Sequence, residues 1–185
     1  MSRYMQPMFM GGRLAALSVA LLACSDPAST RPDAAVDAAI PVDMTTNLVA
    51  KFGSVQRMLD RAYFGVTRSA SGATLHVEAY RGGGSGCPTQ SSPATDYTLV
   101  LATVPMPSGM TPVTSPGNIL DFVGDLLGGD LGAAATAVVI TPLASDVCAA
   151  CSGTFLSADA SLTFSGGTIT GHVYATHCDS LDEQQ

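Results

Sequence analysis

Ala73-Thr74-Leu75-His76-Val77-Glu78-Ala79-Tyr80 alternates apolar and polar residues along its whole length. Successive side chains of a strand point to opposite faces, so Leu75, Val77 and Ala79 line one surface and His76, Glu78 and Tyr80 the other. Residues 61–68 have the same β-type composition and join this strand through a turn at 69–72. Further strands are predicted at 97–104, 134–141, 153–164 (one bent strand or a hairpin) and 167–177, with Gly166-Gly167 marking the last turn. Pro105, Pro107, Pro112 and Pro116 each remove a backbone donor, which makes 105–117 irregular. About six to eight short strands punctuated by Gly and Pro predict an all-β fold, an antiparallel sandwich or barrel.

Two stretches carry a helical period instead. Val55, Met58, Leu59 and Ala62 fall at i, i+3, i+4 and i+7, so 48–60 fits either a helix or a strand. The clearer signal is 118–128. Asn118 can cap a helix there, Ile119, Phe122, Val123, Leu126 and Leu127 form one apolar face, and Gly128-Gly129 ends it. One short helix is therefore expected near 118–128.

The start of the chain reads as an export signal. Arg3 and Arg13 precede or open an apolar run, 14–23, and no acid occurs before Asp26. Ten residues reach ~15 Å as a helix, about half of a bilayer's hydrocarbon core. The run ends in Leu21-Leu22-Ala23-Cys24, which resembles the lipobox of bacterial lipoprotein precursors. That resemblance implies a signal peptide over 1–23 and lipidation of Cys24, with the membrane as a partner through its acyl chains. It implies a cell-envelope location, and Ser25 after the cysteine favours the outer over the inner membrane. Residues 25–47 are rich in Ala, Asp, Pro and Thr and cannot bury enough apolar surface to offset ordering. Residues 24–47 then read as lipidated Cys and disordered tether, and 48–185 as a single β domain.

Charge excludes more than it proposes. Residues 82–185 hold nine acids and no Lys or Arg. Such a surface cannot neutralise phosphates, which argues against nucleic-acid binding, and it fits cationic or basic envelope partners if it recruits anything.

Apart from Cys24 there are four cysteines, Cys87, Cys148, Cys151 and Cys178. An exported chain with an even count predicts two disulfides, with three possible connectivities. Long-range bonds are favoured over a tight Cys148–Cys151 loop. Cys148-Ala149-Ala150-Cys151 also has redox-motif spacing, but no βαβ context surrounds it. The lone Cys87 and Cys178 make a four-cysteine zinc site a poor fit. His76 with Glu78, and His172 with Tyr174, share strand faces and could form a metal or acid–base site only if those faces met. His177 stands apart. Asp121, Asp125 and Asp130 do not have calcium-loop spacing. The Gly82–Gly86 stretch lacks the Lys-Ser/Thr of a phosphate loop.

The residues thus name no catalytic set, no metal ligands and no cofactor. The expected role is a lipid-anchored envelope protein acting as a non-enzymatic binding or structural module. The alternative is an envelope enzyme, either a weak metal-dependent hydrolase or a thiol oxidoreductase.

Overall fold

The 73–80 alternation is the centre of an eleven-residue strand, and its neighbours build outward from it. The computed structural model describes residues 41–148 and 153–184. The expected signal segment, Cys24, the tether up to residue 40, and Cys151 lie outside the described residues. Ten strands follow in order: β1 Leu48–Phe52, β2 Val55–Leu59, β3 Arg61–Ser69, β4 Gly72–Gly82, β5 Thr95–Pro105, β6 Gly117–Asp121, β7 Gly132–Ser145, β8 Phe155–Phe164, β9 Gly167–His177 and β10 Glu183–Gln184. The described residues contain no α-helix, only a 3-10 turn at Asp179–Leu181.

Strands β3 to β9 pair in sequence, each antiparallel to the next. A short parallel contact between β9 and β3, from Ala62↔Ala175 to Phe64↔His177, closes a seven-stranded barrel. Of the sandwich and barrel expected, the barrel forms, and 153–164 is one strand rather than a hairpin. Strands β2 and β3 are two halves of one bent strand. At the bend, the Asp60 N–H donates to the Tyr80 carbonyl (2.9 Å). Strand β1 is wedged between β9 and β2 on one side of the seam, and β10 runs along β3 on the other.

Inward-facing Phe64, Val66, Leu75, Leu99, Leu156 and Ile169 are fully buried, and the rings of Phe52 and Phe164 lie 5.3 Å apart. Side chains fill the barrel, as expected for a small one. Along β8 the buried Leu156, Ala158, Ala160, Leu162 and Phe164 alternate with outward Asp159, Ser161 and Thr163. An apolar interior and a polar outside invert the pattern of a transmembrane barrel.

The expected helix near 118–128 does not form. Ile119 pairs on one side with Leu99 and on the other with Ala133, so 117–121 is a barrel strand. Its end is set by Asp121, only 2 % exposed. The Asp121 carboxylate accepts the N–H groups of Gly124 (2.6 Å), Leu126 (2.8 Å) and Leu127 (2.8 Å), fixing 122–130 as a loop. Gly124, Gly128 and Gly129 adopt positive φ, which a continuing helix forbids. The helical period was a coincidence of a strand followed by a loop whose Leu126 turns inward while Phe122 and Val123 stay exposed. Residues 48–59, readable either way, are the β1–β2 hairpin.

The domain's ordered contacts begin before 48. The Asn47 N–H donates to the His172 carbonyl (2.9 Å), the Asn47 side-chain oxygen accepts the His172 N–H (3.0 Å), and the Thr46 hydroxyl bonds both backbone groups of Tyr174. A Cβ at Gly171 would sit 2.4 Å from the Asn47 carbonyl oxygen, so this strap needs glycine beneath it. The tail mirrors it across the seam, where a Cβ at Gly65 would meet the Leu181 oxygen at 2.1 Å.

Candidate functional site

The three histidines do not converge. His76 lies on the outer face of β4 with its Nε2 2.8 Å from Glu78 Oε1, and the Tyr80 hydroxyl donates to the other Glu78 oxygen. His172 is on β9, with β3 between it and β4, so the two faces whose meeting would make a metal or acid–base site stay apart. His177 is gripped on opposite ring edges, with Nδ1 3.4 Å from Asp179 and Nε2 3.0 Å from Asp182. One ligand atom from each of His177, Asp179 and Asp182 lies within 4.8 Å of the others, so these three are the described residues that could gather around an ion. Asp182 also accepts the Val66 N–H (2.7 Å), which makes the cluster a clamp for the tail.

The β8–β9 register reveals a grouping that the sequence does not announce. Asp159 lies opposite His172, and Ser157 lies two residues away on the same outer face. His172 Nδ1 is 3.1 Å from Asp159 Oδ1, and its Nε2 is 3.3 Å from Ser157 Oγ. The connectivity is that of a Ser-His-Asp triad. The same Nε2, however, lies 3.2 Å from the Asp43 carbonyl oxygen, which can only accept. Ser157 is 1 % exposed, covered by the strap. The group holds the strap down and presents no nucleophile to solvent.

Cys87 and Cys178 form a disulfide across 91 residues, with Cα atoms 5.6 Å apart. This is one long-range bond of the kind expected, and it joins two of the four ligands a cysteine zinc site would need. Cys148 is disulfide-bonded as well; Cys151 lies outside the described residues. The Cys87 bond, with the Ser180 hydroxyl donating to the Pro88 carbonyl, straps loop 83–94 against the tail. Arg61 reaches the carbonyls of Gly82 and Gly84, so Gly82–Gly86 is a pinned loop and not a phosphate cradle.

A further polar cluster lies at the barrel mouth, where β2 splays from β4 beyond the Asp60 bend. A cleft of about 550 Å³ opens there, lined by Gln56, Arg57, Met58, Arg81, Asp96, Tyr97 and Val123. Arg57 points inward from β2. Its Nε donates to the Tyr97 hydroxyl (3.0 Å), its Nη1 donates to the Gln56 carbonyl (2.9 Å), and its Nη2 pairs with Asp125. The Tyr97 hydroxyl in turn donates to Asp125. The Arg57 guanidinium and the Tyr97 hydroxyl hold the Asp125 carboxyl below the usual Asp range. Burial, reinforced by the Asp125 carboxylate, pushes the Tyr97 phenol up. Asp125 raises Arg57 in return.

This network is charge-matched and moves no proton near neutral pH; what it does is hold β2 and the 122–130 loop at a fixed separation. Met58 and Val123, 44 and 57 % exposed, line the cleft beside it. Asp125, inside the stretch expected to be a helix, is instead the loop's link to the barrel. Arg57, Tyr97 and Asp125 are separated by 40 and 28 residues, and no local motif marks them. Comparison with protein-family models, with curated proteins and with solved structures gives no match for this chain.

Proposed function

We propose that this protein is a lipid-anchored, non-enzymatic binding module of the bacterial cell envelope that engages its partner at the barrel mouth. The observation that carries the reading is the contrast between a barrel filled with side chains and a braced, partly apolar cleft at its loop end. The barrel core is packed with buried apolar side chains, and each histidine lies beside a carboxylate that holds local structure. The lipobox-like Leu21-Leu22-Ala23-Cys24 supports acylation of Cys24, and the Ala/Asp/Pro stretch after it supports a tether ending at the strap on β9. Ser25 favours the outer membrane. The acidic 82–185 half suits a neutral or basic partner better than nucleic acid.

The anchor is tested by substituting Cys24→Ala and following membrane partitioning. Loss of the protein from the membrane fraction is expected, and unchanged partitioning contradicts the anchor. The non-enzymatic reading is tested with the purified full chain. Saturable metal-dependent hydrolysis abolished by a His76 substitution, or Cys148 and Cys151 cycling between thiol and disulfide under mild reductant, would overturn it.

A further inference from the structure

We infer that the mouth cleft takes an extended peptide segment, added as a strand to the open edge of β2; this rests on the binding-module reading and names the partner's chemistry. In the order of strands, β2 stands at one end and pairs only with β1. The hairpin turns at 53–54, and Phe52↔Val55 is the pair that closes it. The closing pair of a two-residue hairpin is hydrogen-bonded, and bonded and non-bonded pairs then alternate. Ala50↔Arg57 and Leu48↔Leu59 are therefore bonded pairs, while Lys51↔Gln56 and Val49↔Met58 are not. The backbone groups of Gln56 and Met58 face away from β1, into the cleft that both residues line. The Gln56 carbonyl is taken by Arg57 Nη1. That leaves the Gln56 N–H and both backbone groups of Met58, and no backbone hydrogen bond of the described turns and loops reaches them.

Unpaired backbone groups at every second residue along one line match the repeat of another strand, and strand addition to such an edge is a common mode of peptide recognition. Natural edges are usually blunted by Pro, a bulge or a covering segment. Here β2 has no Pro and no register shift against β1, and its one inward charge, Arg57, is tied down to Tyr97 and Asp125. The walls of the cleft supply side-chain contacts. Val123 and the Met58 side chain, 57 and 44 % exposed, would meet apolar residues of the incoming segment. Arg81, 3.9 Å from Asp60, and Asp96 offer one donor and one acceptor group at the rim, so the site favours a segment of mixed polarity over a highly charged one.

The test uses the full chain and a phage-displayed library of linear heptapeptides, with the enriched sequences synthesised as blocked peptides. Binding is expected to slow amide exchange at Gln56 and Met58 at least tenfold, leaving Arg57 and Leu59, already bonded to β1, unchanged. Met58→Pro, which removes a donor from the open edge but not from the β1 ladder, should weaken binding at least tenfold. Methylating alternate backbone nitrogens of the peptide should do the same on the unaltered protein, which keeps the test sound if the Pro variant folds poorly. Peptides that protect amides elsewhere leave the binding-module reading standing and overturn the edge. So do binding indifferent to peptide methylation, failure to enrich any peptide, or a β2–β2 dimer of the chain itself.

Discussion

The seam and the mouth of the barrel are both rich in polar side chains, yet they use them in opposite ways. At the seam, where β9 meets β3, Asp159 and the Asp43 carbonyl fasten His172, while Asp182 and Asp179 fasten His177. These groups hold two straps flat over Gly171 and Gly65. At the mouth, Arg57 ties β2 to Tyr97 on β5 and to Asp125 in the loop, beside a cleft whose apolar side chains are exposed. The difference teaches that a familiar catalytic residue set is a weaker sign of function than an interaction left unmade. Ser157, His172 and Asp159 look like chemistry and are consumed in holding the strap over β9. Arg57 and Asp125 look like an ordinary ion pair and stand beside an open edge.

The largest test of that contrast is covalent. Replacing Cys87 and Cys178 with Ser releases a 91-residue crosslink, and the chain-entropy relation gives a loss of about 4–5 kcal/mol in denaturant unfolding. The tail and loop 83–94 should gain amide exchange with it. The β2 mouth should keep its native exchange pattern under conditions where the variant is folded.

Asp121→Ala removes the acceptor of three backbone N–H groups in a buried position. A loss of about 2–4 kcal/mol is expected, since each orphaned donor costs on the order of 1 kcal/mol or more. Exchange at Gly124, Leu126 and Leu127 should rise before that of the seam. Equal loosening at both ends of the barrel would erase the distinction between them.

Gly171→Ala puts a Cβ into the Asn47 carbonyl at a residue with φ +138. Destabilisation of about 1–3 kcal/mol is expected from the strained backbone and the clash, with protease cleavage appearing within 41–47. Barrel strands distant from the strap should be unaffected.

The smallest effect is electrostatic. Arg57, and then the Tyr97 hydroxyl, depress the folded-state pKa of Asp125. A depressed carboxyl stabilises fully above its unfolded value, near ~4 for Asp, and loses that contribution as pH falls through its folded value. Arg57→Gln should therefore lower the melting point slightly at neutral pH and flatten the acid limb of the thermal-stability profile, the variant and parent converging at low pH. A steeper acid limb in the variant would contradict the assignment.

Much of the barrel was legible because several of its strands alternate with a period of two, as Leu75/Val77/Ala79 and the predicted strand 167–177 show. What misled was a short apolar run without that period. At 118–128 the spacing of Ile119, Phe122, Val123 and Leu126 fits a helix, and only the tertiary pairing of 117–121 between β5 and β7 decides otherwise. In 55–59, inward Arg57 masks the alternation. The mouth itself was not legible, because Arg57, Tyr97 and Asp125 come together through barrel closure rather than local spacing. The Asp159–His172 contact likewise needs the β8–β9 register, which no single strand contains.

The central claim is that partners meet the mouth and not the seam. The most direct measurement places a photo-crosslinking amino acid at Val123 in one full-length variant and at Thr176, exposed on β9, in another, both displayed on the bacterial envelope. Specific adducts at position 123 that disappear with Met58→Pro, with none at 176, are the predicted result. Adducts at 176 and none at 123 would contradict the account.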